Sequence, residues 1–92
     1  MVGYAYRDKF GILHIVSNEE VAKEYAFGEY KEVDCEYAGG FPKVNGKKVF
    51  DYGNGEVYVG GNKGDGIPLD ELEEKNPDEA EAVKELLEKI GL

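Results

Sequence analysis

Side chains able to make or break bonds are few in this chain. Ser17 is the only serine, Cys35 the only cysteine and His14 the only histidine, and there is no threonine. Nucleophilic catalysis needs a nucleophile in contact with a base. Ser17 stands ahead of Asn18-Glu19-Glu20 and a helical apolar pattern, which is the place of a helix cap rather than of a nucleophile. His14 and Cys35 both fall on expected strands. There a cysteine usually packs as a small apolar residue, and a lone histidine sits satisfied in the core or at its rim. If those strands adjoin, the two would make a thiol–imidazole pair. A zinc site of the His/Cys kind would need carboxylates or a second copy of the chain.

Carboxylates are abundant, so their presence alone says little. Asp51 stands between Phe50 and Tyr52, where an aromatic neighbourhood would raise its pKa. The plainer role is a solvent-facing aspartate or one bonded to the turn that opens at Gly53. A hydrolase using Asp51 with Glu56 has no further support in the sequence. The glycine-rich stretch Gly60–Gly66 is not a phosphate-binding loop, because Lys63 is followed by Gly64 and no hydroxyl residue is near. Nor is it a calcium loop. Setting Gly66 at the required glycine puts Gly61 and Lys63 at liganding positions and Leu72 where the closing glutamate belongs. Asp65, Asp70 and Glu71 are the one remaining set for a divalent ion, and no cofactor is expected. Helix-start amides near Pro68 would suit an anion, but the surrounding carboxylates oppose it.

Aromatic residues are the other surplus. Tyr4, Tyr6, Tyr30, Tyr37, Tyr52 and Tyr58 all lie on or beside expected strands. They suit the core and rim of a small sheet. Where exposed, Tyr37, Tyr52 and Tyr58 would form a contact surface, since tyrosine offers much area at low entropic cost.

These residues must be positioned by elements that the pattern makes visible. The clearest is a hairpin, Val49–Tyr52 and Val57–Val59 around Gly53-Asn54-Gly55, whose glycines and asparagine accept positive φ. Val2–Arg7 alternates at period two and reads as a strand. Asp8-Lys9-Phe10-Gly11 reads as a turn. Ile12–Val16 is apolar on both faces, which suits a central strand. Ser17 to Glu20 has the spacing of a capping box for a short helix that carries Val21 and Tyr25 on one face and ends at Gly28. Glu29–Ala38 reads as one strand with Glu32, Asp34 and Glu36 on a wet face. Phe41–Val44 is confined to an edge by Pro42, and Asn45-Gly46 turns the chain back into the hairpin.

After the glycine-rich loop, Ile67–Lys75 reads as a helix opening at Pro68. Asn76-Pro77-Asp78-Glu79 starts another. Val83, Leu86, Leu87 and Ile90 then form one apolar stripe that ends at Gly91. Burying those four side chains would contribute roughly 6–12 kcal/mol gross, against a comparable entropy of ordering. The last helix therefore folds only when docked, on the sheet or on a second copy of the chain. The expected fold is a single α+β domain over residues 1–92: an antiparallel sheet of five to six strands with two C-terminal helices on one face.

Charge bounds the partners. The formal net charge is −9. Residues 65–92 carry ten acidic groups against Lys75, Lys84 and Lys89, a net of −7. That field disfavours nucleic acid and anionic membrane surfaces. The N-terminal stretch lacks the pattern of a signal peptide, no segment approaches the ~20 apolar residues of a membrane span, and one cysteine fits a reducing compartment; the reading is cytoplasmic. Glutamate and lysine dominate while glutamine and tryptophan are missing, a usage found in proteins of hot environments. The expected function is a non-enzymatic protein-interaction module with a basic partner or a second copy of itself. Tyr37, Tyr52 and Tyr58, or the acidic residues Glu73, Glu74, Glu81 and Glu85, would form its surface. A small-ligand or divalent-metal binder is the alternative, and a small enzyme using His14 with Cys35, or Asp51, comes third. His14 bonded to Cys35 or to a carboxylate at the bottom of a pocket, or an ion held there by several oxygens, would overturn the non-enzymatic reading.

Overall fold

The computed structural model describes residues 1–92. Its strands and helices run in the order β1 (Val2–Arg7), β2 (Leu13–Val16), α1 (Glu19–Tyr25), β3 (Tyr30–Asp34), β4 (Tyr37–Ala38), β5 (Phe41–Val44), β6 (Lys47–Asp51), β7 (Val57–Gly60), β8 (Ile67–Pro68), α2 (Leu69–Lys75) and α3 (Pro77–Ile90). The α+β class, the antiparallel pairing and the two C-terminal helices are as expected. The strands, however, divide between two sheets, one of three in the order β2-β1-β3 and one of five in the order β4-β5-β6-β7-β8.

The division arises inside the stretch expected to be one strand. Glu29–Ala38 is broken at Cys35-Glu36. Its first half pairs with β1, Gly3 opposite Val33, and its second half pairs with β5, Tyr37 opposite Pro42. Alternation persists through the bend, so period two alone could not reveal that the chain changes sheets. Pro42 is buried within β5, which has a neighbour on each side rather than an edge. This is tolerated because the Lys43 amide points to β4, donating to the Glu36 carbonyl, so the proline nitrogen points to β6, where the pairing ends at Lys43 opposite Lys48.

Strand β2 is not central but lateral in its sheet, with β1 between it and β3. It is apolar on both faces for a different reason. Leu13 and Ile15 point into the core with Ala5 and Val33, the opposite face lies under α1, and the free edge is closed where the Ile15 amide donates to Gly40. Helix α1 is capped by Asn18, whose Oδ1 accepts from the Glu20 amide at 2.9 Å, and not by Ser17. The helix starts one residue later than the Ser17 reading places it, and asparagine caps as well as serine. It ends at Tyr25, three residues before Gly28, and buries Ala22 while leaving Tyr25 exposed.

The Asn45-Gly46 turn has φ of 51° and 79°, as a two-residue hairpin requires. Ile67 and Pro68 form a short strand against β7 instead of the first turn of a helix, so α2 begins at Leu69 with Pro68 as its cap residue. Asn76 caps α3 through the Glu79 amide, and Gly91 ends it at φ 67°. Helix α3 joins the two halves. Ile90 packs with Ala5, Leu13, Ile15 and Val33. Ala80 and Val83 pack with Val49, Val59 and Leu72. Leu87 touches both groups.

Candidate functional site

Two aspartates, one at the end of a β-strand and one just after a strand, bond into turns. Asp51, at the end of β6, accepts from the Gly53 amide and from both terminal nitrogens of Arg7 at 3.1 and 2.9 Å. Arg7 also donates to the carbonyls of Gly11 and Leu92. The Asp51 side chain is 8% exposed and that of Arg7 27%. The pair is a bidentate clamp between the sheets, with every buried polar atom satisfied. Asp51 is therefore turn-bonded but not solvent-facing, and it is buried against arginine rather than among aromatics alone. A second buried carboxylate, Glu79, is answered by Lys47 at 3.0 Å.

Asp8 opens the turn between β1 and β2. One carboxylate oxygen accepts from the Phe10 and Ile12 amides at 2.8 and 3.1 Å, and the other lies 2.8 Å from His14 Nε2. Burial pushes the Asp8 carboxyl up, but the bonds from His14 and the two amides outweigh it, and its pKa lies below the ordinary aspartate value. Asp8 is thus ionised at neutral pH and fixes the His14 ring. The other ring nitrogen, Nδ1, faces Gly40. The ring stacks on Tyr6 with centroids 5.1 Å apart and lies 5.6 Å from Phe41, which in turn meets Phe50 edge-on. This aromatic row ties the site to the second sheet.

Asp8 and His14 line a groove of about 450 Å³ between the β1–β2 turn and the end of α1. Tyr6 and His14, paired across β1 and β2, provide two of its residues. Lys9 and Phe10 form one wall, and Glu24, Tyr25, Ala26 and Phe27 the other. The second wall is held by the Phe27 amide, which donates to the Arg7 carbonyl at 2.8 Å. Phe10, Tyr25 and Phe27 are 73%, 60% and 76% exposed. Burial, with Asp8 and Tyr25 nearby, raises the Tyr6 phenol pKa, so it stays protonated. The Lys9 ammonium stands over the Phe10 ring, 5.2 Å from its centroid.

The residues singled out from sequence are dispersed. Tyr37 is half-buried against the first core group, and its hydroxyl donates to the Val2 carbonyl. Tyr52 and Tyr58 meet edge-on at 5.7 Å, half-buried. Tyr58 also lines a smaller hollow of about 200 Å³ with Glu56, Pro68 and Asp70. Glu74, Glu81 and Glu85 are exposed, while Glu73 is paired with Lys84. His14 and Cys35 do not meet. Cys35 packs against the first core group, and burial raises its thiol pKa, which favours the thiol over the thiolate. Asp65, Asp70 and Glu71 do not gather; nowhere do three or more His, Cys, Asp or Glu side chains converge as metal ligands do.

An imidazole held by a carboxylate in a groove is nonetheless present, with Asp8 as the carboxylate. In the sequence, Asp8 to Gly11 carries a turn signal and nothing that points to His14. The available signal was Phe10, a large apolar residue at a turn where polar residues are the rule. Phe27, beside Gly28, was a second. No helix is long and apolar enough to cross a membrane. No protein-family model matches this chain, and neither a curated protein nor a solved structure matches it, so the groove is interpreted from its own chemistry.

Proposed function

We propose that this chain is a protein-interaction module that holds a segment of its partner in the groove between the β1–β2 turn and the end of α1. One observation carries the reading: three of the five large hydrophobic side chains left exposed converge on this groove. Aromatic groups kept in water at one place are available for a partner to cover. The walls are fixed by main-chain bonds, so little ordering is needed on binding. The exposed glutamates 74, 81 and 85 supply a field that speeds the approach of a basic partner. The groove lacks serine and cysteine, and its imidazole has one nitrogen bonded to Asp8 and the other turned to Gly40. Recognition uses what is there.

The test is selection of peptides from a random display library on the intact protein, followed by calorimetry. Phe10→Ala and Phe27→Ala together weaken the selected peptides at least about 30-fold, the equivalent of roughly 2 kcal/mol for lost aromatic anchors. Both side chains are exposed, so the fold is unchanged. Selected peptides that bind the double variant as well as the parent overturn the proposal.

A small-molecule ligand is the second reading. The groove volume falls in the range of about 300–1,000 Å³ for such sites, and His14 with Tyr6 offers polar groups on its lining. Thermal shift against a metabolite panel distinguishes it, since a ligand at about a hundred times its dissociation constant adds roughly 2.7 kcal/mol.

A further inference from the structure

The groove already shows what kind of group it favours. Lys9 is exposed and free to extend into water, yet its ammonium stands over the face of Phe10. The face of an aromatic ring carries the negative end of its quadrupole, which attracts a cation. Tyr25 and Phe27 present two further rings on the facing wall, and that wall also carries the Glu24 carboxylate. Asp8, ionised, lies on the near side with one oxygen facing His14. The chain as a whole bears a net charge of −9. Rings, two carboxylates and a negative field are complementary to an ammonium group on an apolar stem. Lysine is such a group, with four methylenes to lie along the rings and a charge to reach the carboxylates.

We infer that the groove's occupant is a lysine side chain on a basic segment of a protein partner, its ammonium taking the place that Lys9 now holds over Phe10. This rests on the groove reading above and names the group that the groove selects. Lys9 is then an internal competitor. It covers the ring in the free protein, leaves on binding, and its own charge opposes the incoming one.

The experiment compares capped pentapeptides Ala-Ala-X-Ala-Ala on the intact protein, with X as lysine, trimethyl-lysine or norleucine, the last being the neutral counterpart. Binding is read from amide shifts of Asp8–Phe10 and Tyr25–Phe27 in two-dimensional NMR. The lysine and trimethyl-lysine peptides bind about tenfold tighter than the norleucine peptide, the size expected of a partly desolvated cation–π contact. Lys9→Met, at an exposed position, tightens lysine-peptide binding by about threefold to tenfold, because competitor and repulsion leave together. Norleucine binding within twofold of lysine overturns the inference and leaves the groove reading standing. Shifts confined to other residues, or lysine-peptide binding weakened by Lys9→Met, overturn it as well. Loss of the library-selected peptides' dependence on Phe10 and Phe27 instead removes the groove reading itself.

Discussion

The turns after β1 and β6 are built alike and end differently. Each opens on an aspartate that accepts main-chain amides, Phe10 and Ile12 for Asp8, Gly53 for Asp51. Each aspartate also holds a basic side chain from another strand, His14 of the adjacent β2 in one case and Arg7 of the other sheet in the second. The turns even touch, since a Cβ on Gly53 would lie 3.2 Å from the Gly11 carbonyl oxygen. What separates them is burial and partner. Asp51 is sealed with a guanidinium that is always charged, and it fastens the two sheets. Asp8 is 22% exposed, holds an imidazole, and stands at the mouth of an aromatic groove. The same turn chemistry therefore seals a pair between the sheets where solvent is excluded, and where it is not it leaves a pair at the groove for which we propose recognition.

The largest test of this contrast is Asp51→Ala. It leaves Arg7 without its counter-charge and the Gly53 amide without its acceptor. The expected loss is about 3 kcal/mol in urea unfolding, the lower end for a broken buried pair because Arg7 is partly exposed. A loss under about 1 kcal/mol would mean that the clamp is no more than a surface pair.

Next comes the contact between the turns. Gly53→Ala and Gly11→Ala both place a side chain at positive φ, 84° and 87°, at about 1 kcal/mol or more each. Gly53→Ala adds a clash with the Gly11 carbonyl, whereas a Cβ on Gly11 would meet nothing closer than 3.6 Å. Gly53→Ala is therefore the more destabilising of the two, and equal losses would show that the turns do not press on one another.

The smallest effect is at Asp8. Asp8→Asn keeps an acceptor for the turn amides and removes the charge facing His14. At neutral pH the expected loss is about 1 kcal/mol. The folded Asp8 pKa is lowered, so its contribution is full above the unfolded value of about 3.9 and is lost as pH falls through the folded value. The difference in stability between parent and Asp8→Asn should therefore shrink below about pH 4. A difference that stays constant from pH 6 to pH 3 contradicts the Asp8–His14 bond.

Most elements were legible because their signals are local. The Asn45-Gly46 turn, the Gly53–Gly55 connection, the Asn76 cap and the Gly91 stop each depend on a few adjacent residues. The apolar stripe of α3 was legible for the same reason, and Val83 and Ile90 are fully buried. The site was not legible. His14 was noticed for its rarity, but its partner is Asp8, across a turn, rather than Cys35 on another strand. Spacing places Val21 and Tyr25 on one face of α1 but does not say what that face meets; Ala22 is the buried residue, and Tyr25 walls the groove.

Sequence by itself determined the α+β class, the acidic C-terminal half and the shortage of nucleophiles, since composition and local spacing dictate these whatever the chain does in space. Tertiary structure decided that Glu29–Ala38 changes sheets, that Arg7 meets Asp51 44 residues away, and that Phe10 and Phe27 line one groove. Such pairings depend on how two sheets are set together under α3. That packing is fixed by the summed burial of residues far apart in the chain, and no short window of sequence contains it.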